Sequence, residues 1–260
     1  MKPATALFPV LAVALLLAGA PAQASSKTDN RIEDSAKKSY VFKTYLKGDD
    51  IQIQSRDGVV TLTGSVLEES HKSLARETVA ELPGVKKVDN QLEVKGDSPA
   101  VNSDLWLGTK VKTTLLFHRN VNALKTEVSV KDGVVTLRGE AASGAQKELT
   151  TEYAKDVAGV KDVKNEMTVS GASTSATSMK KHGTVGEKID DASITAQIKM
   201  TLLYHRSTSA VSTKVKTKNG VVTVSGNARN AAEKDLVTKF ASDVNGVKTV
   251  RNRMTVAGSK

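Results

Sequence analysis

Apolar and polar residues alternate along this chain in short runs, and one run occurs three times. Asp57-Gly58-Val59-Val60-Thr61-Leu62-Thr63-Gly64 returns as Asp132-Gly133-Val134-Val135-Thr136-Leu137-Arg138-Gly139 and as Asn219-Gly220-Val221-Val222-Thr223-Val224-Ser225-Gly226. Asp-Gly or Asn-Gly supplies the φ > 0 residues of a tight hairpin turn, and Val-Val-Thr-Leu has the β-branched alternation of a strand. The closing glycines, Gly64, Gly139 and Gly226, mark the strand end, where the backbone bends. A second run follows each copy: Gly84-Val85-Lys86-Lys87-Val88-Asp89-Asn90-Gln91-Leu92, then Gly159 to Met167, then Gly246 to Met254. Both runs recur at steps of 75 and then 87 residues. A fixed period of that length means tandem copies of a small domain, being too long for one solenoid turn.

Helical spacing fills the gaps between these strands. A first helix is predicted near Asp34 to Leu46, with its counterparts starting at Asp104 and Asp191, where Asp serves as N-cap. Leu107, Val111 and Leu115 recur at i, i+4, i+8, as do Ile194, Ile198 and Leu202, so each set lines one buried face. The first copy offers only Lys37, Val41 and Tyr45 there, has a loop about five residues shorter before its first strand, and reads as the most divergent unit. A strand precedes each hairpin turn (Ile51 to Ser55, Thr126 to Val130, Thr213 to Thr217). A second helix covers Ser70 to Leu82, Ala145 to Val157 and Ala232 to Val244, stopped in the manner of a C′ glycine by Gly84, Gly159 and Gly246. The order helix, strand, strand, helix, strand predicts an α+β chain of three tandem αββαβ two-layer sandwiches.

The boundaries follow: 31–97, 103–170 and 188–257 for the three units. A short linker holds Pro99, and residues 171–187, rich in Ser, Thr, Ala and Gly, read as a flexible one. The first two units are expected to sit close together and the third to swing freely. Residues 1–24 read as a secretory signal peptide: Lys2, an apolar run from Leu7 to Ala18, and Ala22-Gln23-Ala24 as the cleavage site. No cysteine follows, so lipid anchoring through one is excluded, and the chain is expected to be exported, to the periplasm where the host has two membranes.

Composition sharpens this picture. Aromatic residues are 3% of the chain and cysteine is absent, so small cores of Val, Leu, Ile and Met must hold without disulfides. The net charge is +10, unevenly spread. Lys and Arg against Asp and Glu number 11 and 12 in 31–97, 10 and 9 in 103–170, and 13 and 5 in 188–260. The third unit therefore carries the positive charge, which suits nucleic acid or an anionic membrane surface. Export removes nucleic acid and leaves anionic lipid or acidic surface polymers. Alternation along the strands places Lys214, Lys216 and Lys218, with Arg251 and Arg253, on the open face of the third sheet.

The three Gly-Val-Val-Thr strands and the three Gly-Val-x-x-Val-x-Asn strands resemble the BON domain, over most of residues 31–257. Asp104-Leu105-Trp106-Leu107-Gly108-Thr109-Lys110-Val111-Lys112 is similar to that family's opening helix. The resemblance implies the same helix-strand-strand-helix-strand fold in a periplasmic module that binds phospholipid surfaces, with an envelope-stress or chaperone role.

Catalytic patterns are missing. No phosphate-binding loop, serine elbow or His-Glu-x-x-His motif occurs. His118 and His205 hold the same place in Phe117-His118-Arg119 and Tyr204-His205-Arg206. They read better as helix-end residues complementing the dipole than as metal ligands or pH sensors. Asp49-Asp50 and Glu68-Glu69 read as solvated loops, and Asn90, Asn165 and Asn252 as side chains satisfying backbone at the last strand. No metal or cofactor is expected. Trp106, the single tryptophan, has two readings: packing against a neighbouring unit or core edge, or insertion at a membrane interface. The expected function is non-enzymatic binding of anionic phospholipid surfaces in support of the envelope under osmotic stress. A holdase chaperone, or an adaptor for envelope proteins or acidic glycans, is the alternative, and the chaperone would need an exposed apolar patch.

Overall fold

A computed structural model describes residues 22–95, 103–170, 188–208 and 212–256. The apolar leader, the Pro99 segment and the linker at 171–187 lie outside the described residues.

In the first unit, α1 (Ala22–Lys38) and α2 (Tyr40–Thr44) lead into β1 (Asp50–Arg56), β2 (Val59–Val66) and α3 (Glu69–Ala80). The last strand comes in two pieces, β3 (Lys87–Asn90) and β4 (Glu93–Val94). The second unit repeats this as α4 (Asp104–Phe117), β5 (Thr126–Lys131), β6 (Val134–Ala141), α5 (Gly144–Asp156), β7 (Asp162–Asn165) and β8 (Thr168–Val169). The third has α6 (Asp191–Tyr204), β9 (Thr213–Lys218), β10 (Val221–Ala228), α7 (Ala231–Asp243), β11 (Thr249–Asn252) and β12 (Thr255–Val256). In each sheet the central strand pairs antiparallel with the strand before it and parallel with the split last strand. Asp57 and Gly58 (φ 54° and 80°), Asp132 and Gly133 (55° and 82°), and Asn219 and Gly220 (53° and 77°) form the hairpin turns, both residues left-handed as a type I′ turn needs.

A carboxylate locks each turn to its first helix. Asp104 accepts hydrogen bonds from the Asp132 and Gly133 amides at 2.6 and 2.9 Å, and Asp191 from those of Asn219 and Gly220 at 2.6 and 2.8 Å. These aspartates open the helices but do not cap them. The caps are Ser103 and Asp190, which accept from the Trp106 and Ser193 amides. In the first unit the same role falls to Asp29, on the Asp57 and Gly58 amides at 2.8 and 3.0 Å. The opening helix therefore starts well before Asp34, and its buried face is Ile32 and Ala36. Ser39 then interrupts it and caps α2, which buries Val41. An offset of five residues at the sequence level hid a helix that is in full register with its two counterparts.

Two glycine assignments also change. Gly64, Gly139 and Gly226 lie inside the central strands, which run two residues further and there pair with β4, β8 and β12. Their φ values of 107°, 119° and 126° let a neighbouring backbone come close: a Cβ on Gly226 would sit 1.8 Å from the Ser212 carbonyl oxygen. Gly84, Gly159 and Gly246 stand beyond the C′ position. Each is third in a turn closed by an amide-to-carbonyl bond, Val85 to Leu82, Val160 to Val157 and Val247 to Val244. A left-handed glycine third, with Pro83 second in the first copy, is the type II pattern. Asn90, Asn165 and Asn252 bridge the break in the last strand, donating to the Lys72, Lys147 and Lys234 carbonyls and accepting from the Leu92, Met167 and Met254 amides.

The third unit does not swing freely. One continuous apolar core runs through the second and third units, from Leu107 and Val135 to Val222 and Met254. Helix α6 is buried on both sides. Ile194, Ile198 and Leu202 face its own sheet, while Ala192, Ala196, Met200 and Tyr204 pack into the core of the first unit. Lys199 adds ion pairs to Glu81 and Glu77 of α3 at 2.5 and 3.2 Å. His118 and His205 do stand at the ends of α4 and α6, but both are 2% exposed and face each other across the joint between the second and third units.

Candidate functional site

Five cations occupy the open face of the third sheet. Along β9 the side chains of Val215 and, in part, Thr217 turn inward, while Lys214, Lys216 and Lys218 are exposed. On the last strand Val250 and Asn252 turn inward and Arg251 and Arg253 outward. The ladder joins the two sets: Thr223 on the central strand pairs with Lys216 on one side and Arg251 on the other. With neighbouring strands about 4.8 Å apart, these two cations stand about 10 Å from each other across the face. Lys214 lies opposite Ser225 and Lys218 opposite Val221, so the middle of the patch is neutral and lightly polar. None of the five forms an ion pair among the described residues.

The same positions differ in the other two units. In the second they are Glu127, Ser129, Lys131, Lys164 and Glu166, and the sheet neutralises itself through Arg138–Glu166 at 2.9 Å and Lys125–Glu140 at 3.3 Å. In the first they are Gln52, Gln54, Arg56, Asp89 and Gln91. The third face is thus the one on which positive charge stands without a counter-charge of its own.

Trp106 lies elsewhere, in the first turn of α4. Its indole is half-buried and meets the Tyr204 ring of α6 edge-on, with centroids 6.2 Å apart. This supplies the partner for the packing reading, between second and third units. The turn glycines, from Gly58 to Gly246, shape the hairpins and the helix exits and present no side chain to a ligand. Among the described residues the large exposed apolar ones are Val59, Leu67, Leu105, Leu124, Val169 and Leu203, each in a different strand, helix or loop, so no one element there offers an apolar face. No group of three or more His, Cys, Asp or Glu side chains is arranged to hold a metal ion among the described residues, and no helix there is long and apolar enough to cross a membrane.

What the residue pattern did not reveal is the cluster at the joint, His118, His205, Asp156, Asp243 and Tyr153. A signal was present: His118, Asp156 and Tyr153 recur at a step of 87 residues as His205, Asp243 and Phe240. Nothing in one chain's order says that the copies meet.

Comparison with known proteins gives consistent matches. A model of the BON domain family matches residues 28–96, 103–171 and 190–258. The chain is 32% identical over 190 residues to osmotically-inducible protein Y of Escherichia coli, covering 73% of this chain and 87% of that protein. It is 30% identical over 115 residues to a 21 kDa hemolysin of Actinobacillus pleuropneumoniae, 44% of this chain and 59% of that one. It is also 28% identical over 153 residues to the outer membrane lipoprotein DolP of Haemophilus influenzae, 55% of this chain and 74% of that one.

Proposed function

The chain belongs to the BON domain family, and from that premise we propose that it is a non-catalytic protein of the bacterial envelope whose third unit docks on anionic phospholipid. The observation that carries this reading is the unpaired cationic face of Lys214, Lys216, Lys218, Arg251 and Arg253. An osmotically inducible relative and an outer membrane lipoprotein relative support an envelope role under osmotic stress. The leader-like first 24 residues support export, with cleavage after Ala24 as part of the proposal.

The physics favours a reversible surface contact. Each Lys or Arg near an anionic membrane contributes about 1 kcal/mol, screened over a Debye length of about 8 Å at physiological salt. The exposed Lys and Arg heads reach outward from a flat sheet, so several can meet one surface together. Apolar insertion is not needed, and in this reading Trp106 belongs to the joint and not to the lipid contact.

Vesicle flotation of the full chain tests the proposal. Binding to phosphatidylglycerol vesicles is expected to weaken with salt, and neutral vesicles are expected to bind little. Charge reversal at Lys214, Lys216, Arg251 and Arg253 should lower partitioning by at least about a thousandfold, since losing the four attractions alone is the equivalent of about 4 kcal/mol. Equal flotation of parent and quadruple variant would remove the electrostatic reading.

A further inference from the structure

The second and third units meet through a buried, two-fold cluster. The end of α4 lies on the end of α7, and the end of α6 on the end of α5. Arg119 and Asn245 amides donate to the Asp243 and Phe117 carbonyls at 2.9 and 3.1 Å. Arg206 and Ala158 amides donate to those of Asp156 and Tyr204, both at 2.8 Å. At the centre the Nε2 atoms of His118 and His205 stand 3.4 Å apart. Outward from there each imidazole meets a carboxylate through Nδ1: His205 with Asp156 at 2.9 Å, His118 with Asp243 at 3.2 Å.

Rings clamp both histidines. His118 stacks on Tyr153 at 3.8 Å and His205 on Phe240 at 4.0 Å, both nearly parallel. Asp243 also accepts from the Tyr153 hydroxyl at 2.5 Å and from the Asn120 amide, and Asp156 from Ser207. The Arg119 guanidinium is committed to the Val244 and Val247 carbonyls, and that of Arg206 to Lys155 and Val160. No other charged group is thereby directed at the imidazoles.

Proton counting gives the cluster its property. A carboxylate only accepts, so the Nδ1 beside each one carries its hydrogen: that of His205 donates to Asp156, and that of His118 stands 3.2 Å from Asp243 without completing a hydrogen bond. The two Nε2 atoms then face each other, and one proton between them makes a donor and an acceptor. A second proton would set two N–H groups and two positive rings against each other at 3.4 Å, in a site closed to water. We propose that this His118–His205 contact is an acid-released latch: it closes the joint while it holds a single shared proton, and uptake of a second opens it.

The sign of the pH dependence follows. Burial pulls the His118 imidazole below 6.5, and the neighbouring Asp243 only partly offsets this. Opened, it takes up a proton near 6.5; closed, it does not. Because the closed pair keeps one proton, while the opened pair holds none well above pH 6.5 and two well below it, closure is strongest near pH 6.5 and weakens as pH falls from there toward the lower, closed-state value. Asp156 gives a second loss at lower pH. Burial alone would raise its carboxyl, but hydrogen bonds from His205 and Ser207 hold it below 3.8.

Hydrogen exchange of the full chain, expressed as protection factors, reads the latch at the four crossing amides: Arg119, Asn245, Ala158 and Arg206. Between pH 7.5 and 5.5 their protection is expected to fall by up to about tenfold per pH unit below 6.5, the limit for one proton. The amides of β6 and β10 should hold theirs. His118→Gln with His205→Gln should flatten the slope. Level protection in the parent, or an unchanged slope in the double variant, overturns the proposal. Should that variant fail to fold, proton NMR titration of the parent decides. Imidazole signals of His118 and His205 that both follow an ordinary curve near 6.5 in the closed protein would overturn it, and suppressed titration of one would support it.

Discussion

A glycine's importance in this protein depends on what lies beside it. Gly226 and Gly159 both have left-handed backbones, at φ 126° and 102°. A Cβ at Gly226 would strike the Ser212 carbonyl oxygen at 1.8 Å, whereas at Gly159 it would touch only side chains at ordinary contact, the Leu107 methyl at 3.4 Å and Lys110 Nζ at 3.7 Å. Gly159→Ala should thus cost the conformational strain alone, about 1–2 kcal/mol. Gly226→Ala adds a backbone collision that the strand pair has to relieve, and should cost more than about 3 kcal/mol. Urea unfolding midpoints of the two full-chain variants check the order, and a larger loss at Gly159 would reverse it. Their places in the repeat mark both as turn glycines but do not rank them, since the residue that decides the difference lies across the sheet.

At the scale of elements, the carboxylate that ties each first helix to its hairpin is the feature that makes the repeat a unit. It holds two amides that a type I′ turn leaves pointing outward. Asp191→Ala removes both hydrogen bonds and should destabilise the chain by about 1–2 kcal/mol. Asp191→Asn keeps one strong acceptor and should lose about half as much. Thermal melts of the two variants check this, and equal losses would show that geometry rather than hydrogen bonding sets the effect. The strands, turns and second helices were legible because their signals are local: alternation, Asn-Gly or Asp-Gly, and a four-residue apolar step. The opening helix of the first unit was not, because Ile32 and Ala36 form a short face and Ser39 breaks the period after it.

Across the whole molecule, the packing of α6 governs what can be cut apart. Its outer side, Ala192, Ala196, Met200 and Tyr204, is buried in the core of the first unit, and its end is held at the histidine joint. A fragment of residues 188–260 would expose all of this on a unit of about 70 residues, whose core is marginal to begin with. Such a fragment is expected to show a broad, weakly cooperative melt, while residues 103–260, which keep the shared second and third core, should melt sharply. A sharp transition in the short fragment would show that the third unit is self-sufficient. The same packing leaves the cationic sheet face free, since that face points away from the helices that join the units.

By itself the sequence determined the three units, their α+β order, their hairpin turns and the outward face of Lys214, Lys216 and Arg251. Each of these follows from periodicities of two or four residues and from turn chemistry that acts over a few positions. The tertiary structure alone decided which unit packs on which, that Trp106 meets Tyr204, and that His118 and His205 share a buried contact. These are meetings between residues up to about 150 positions apart, and at the histidine joint they arise where equivalent helix ends close on one another. No local spacing encodes that closure, because each partner's own segment is complete without it.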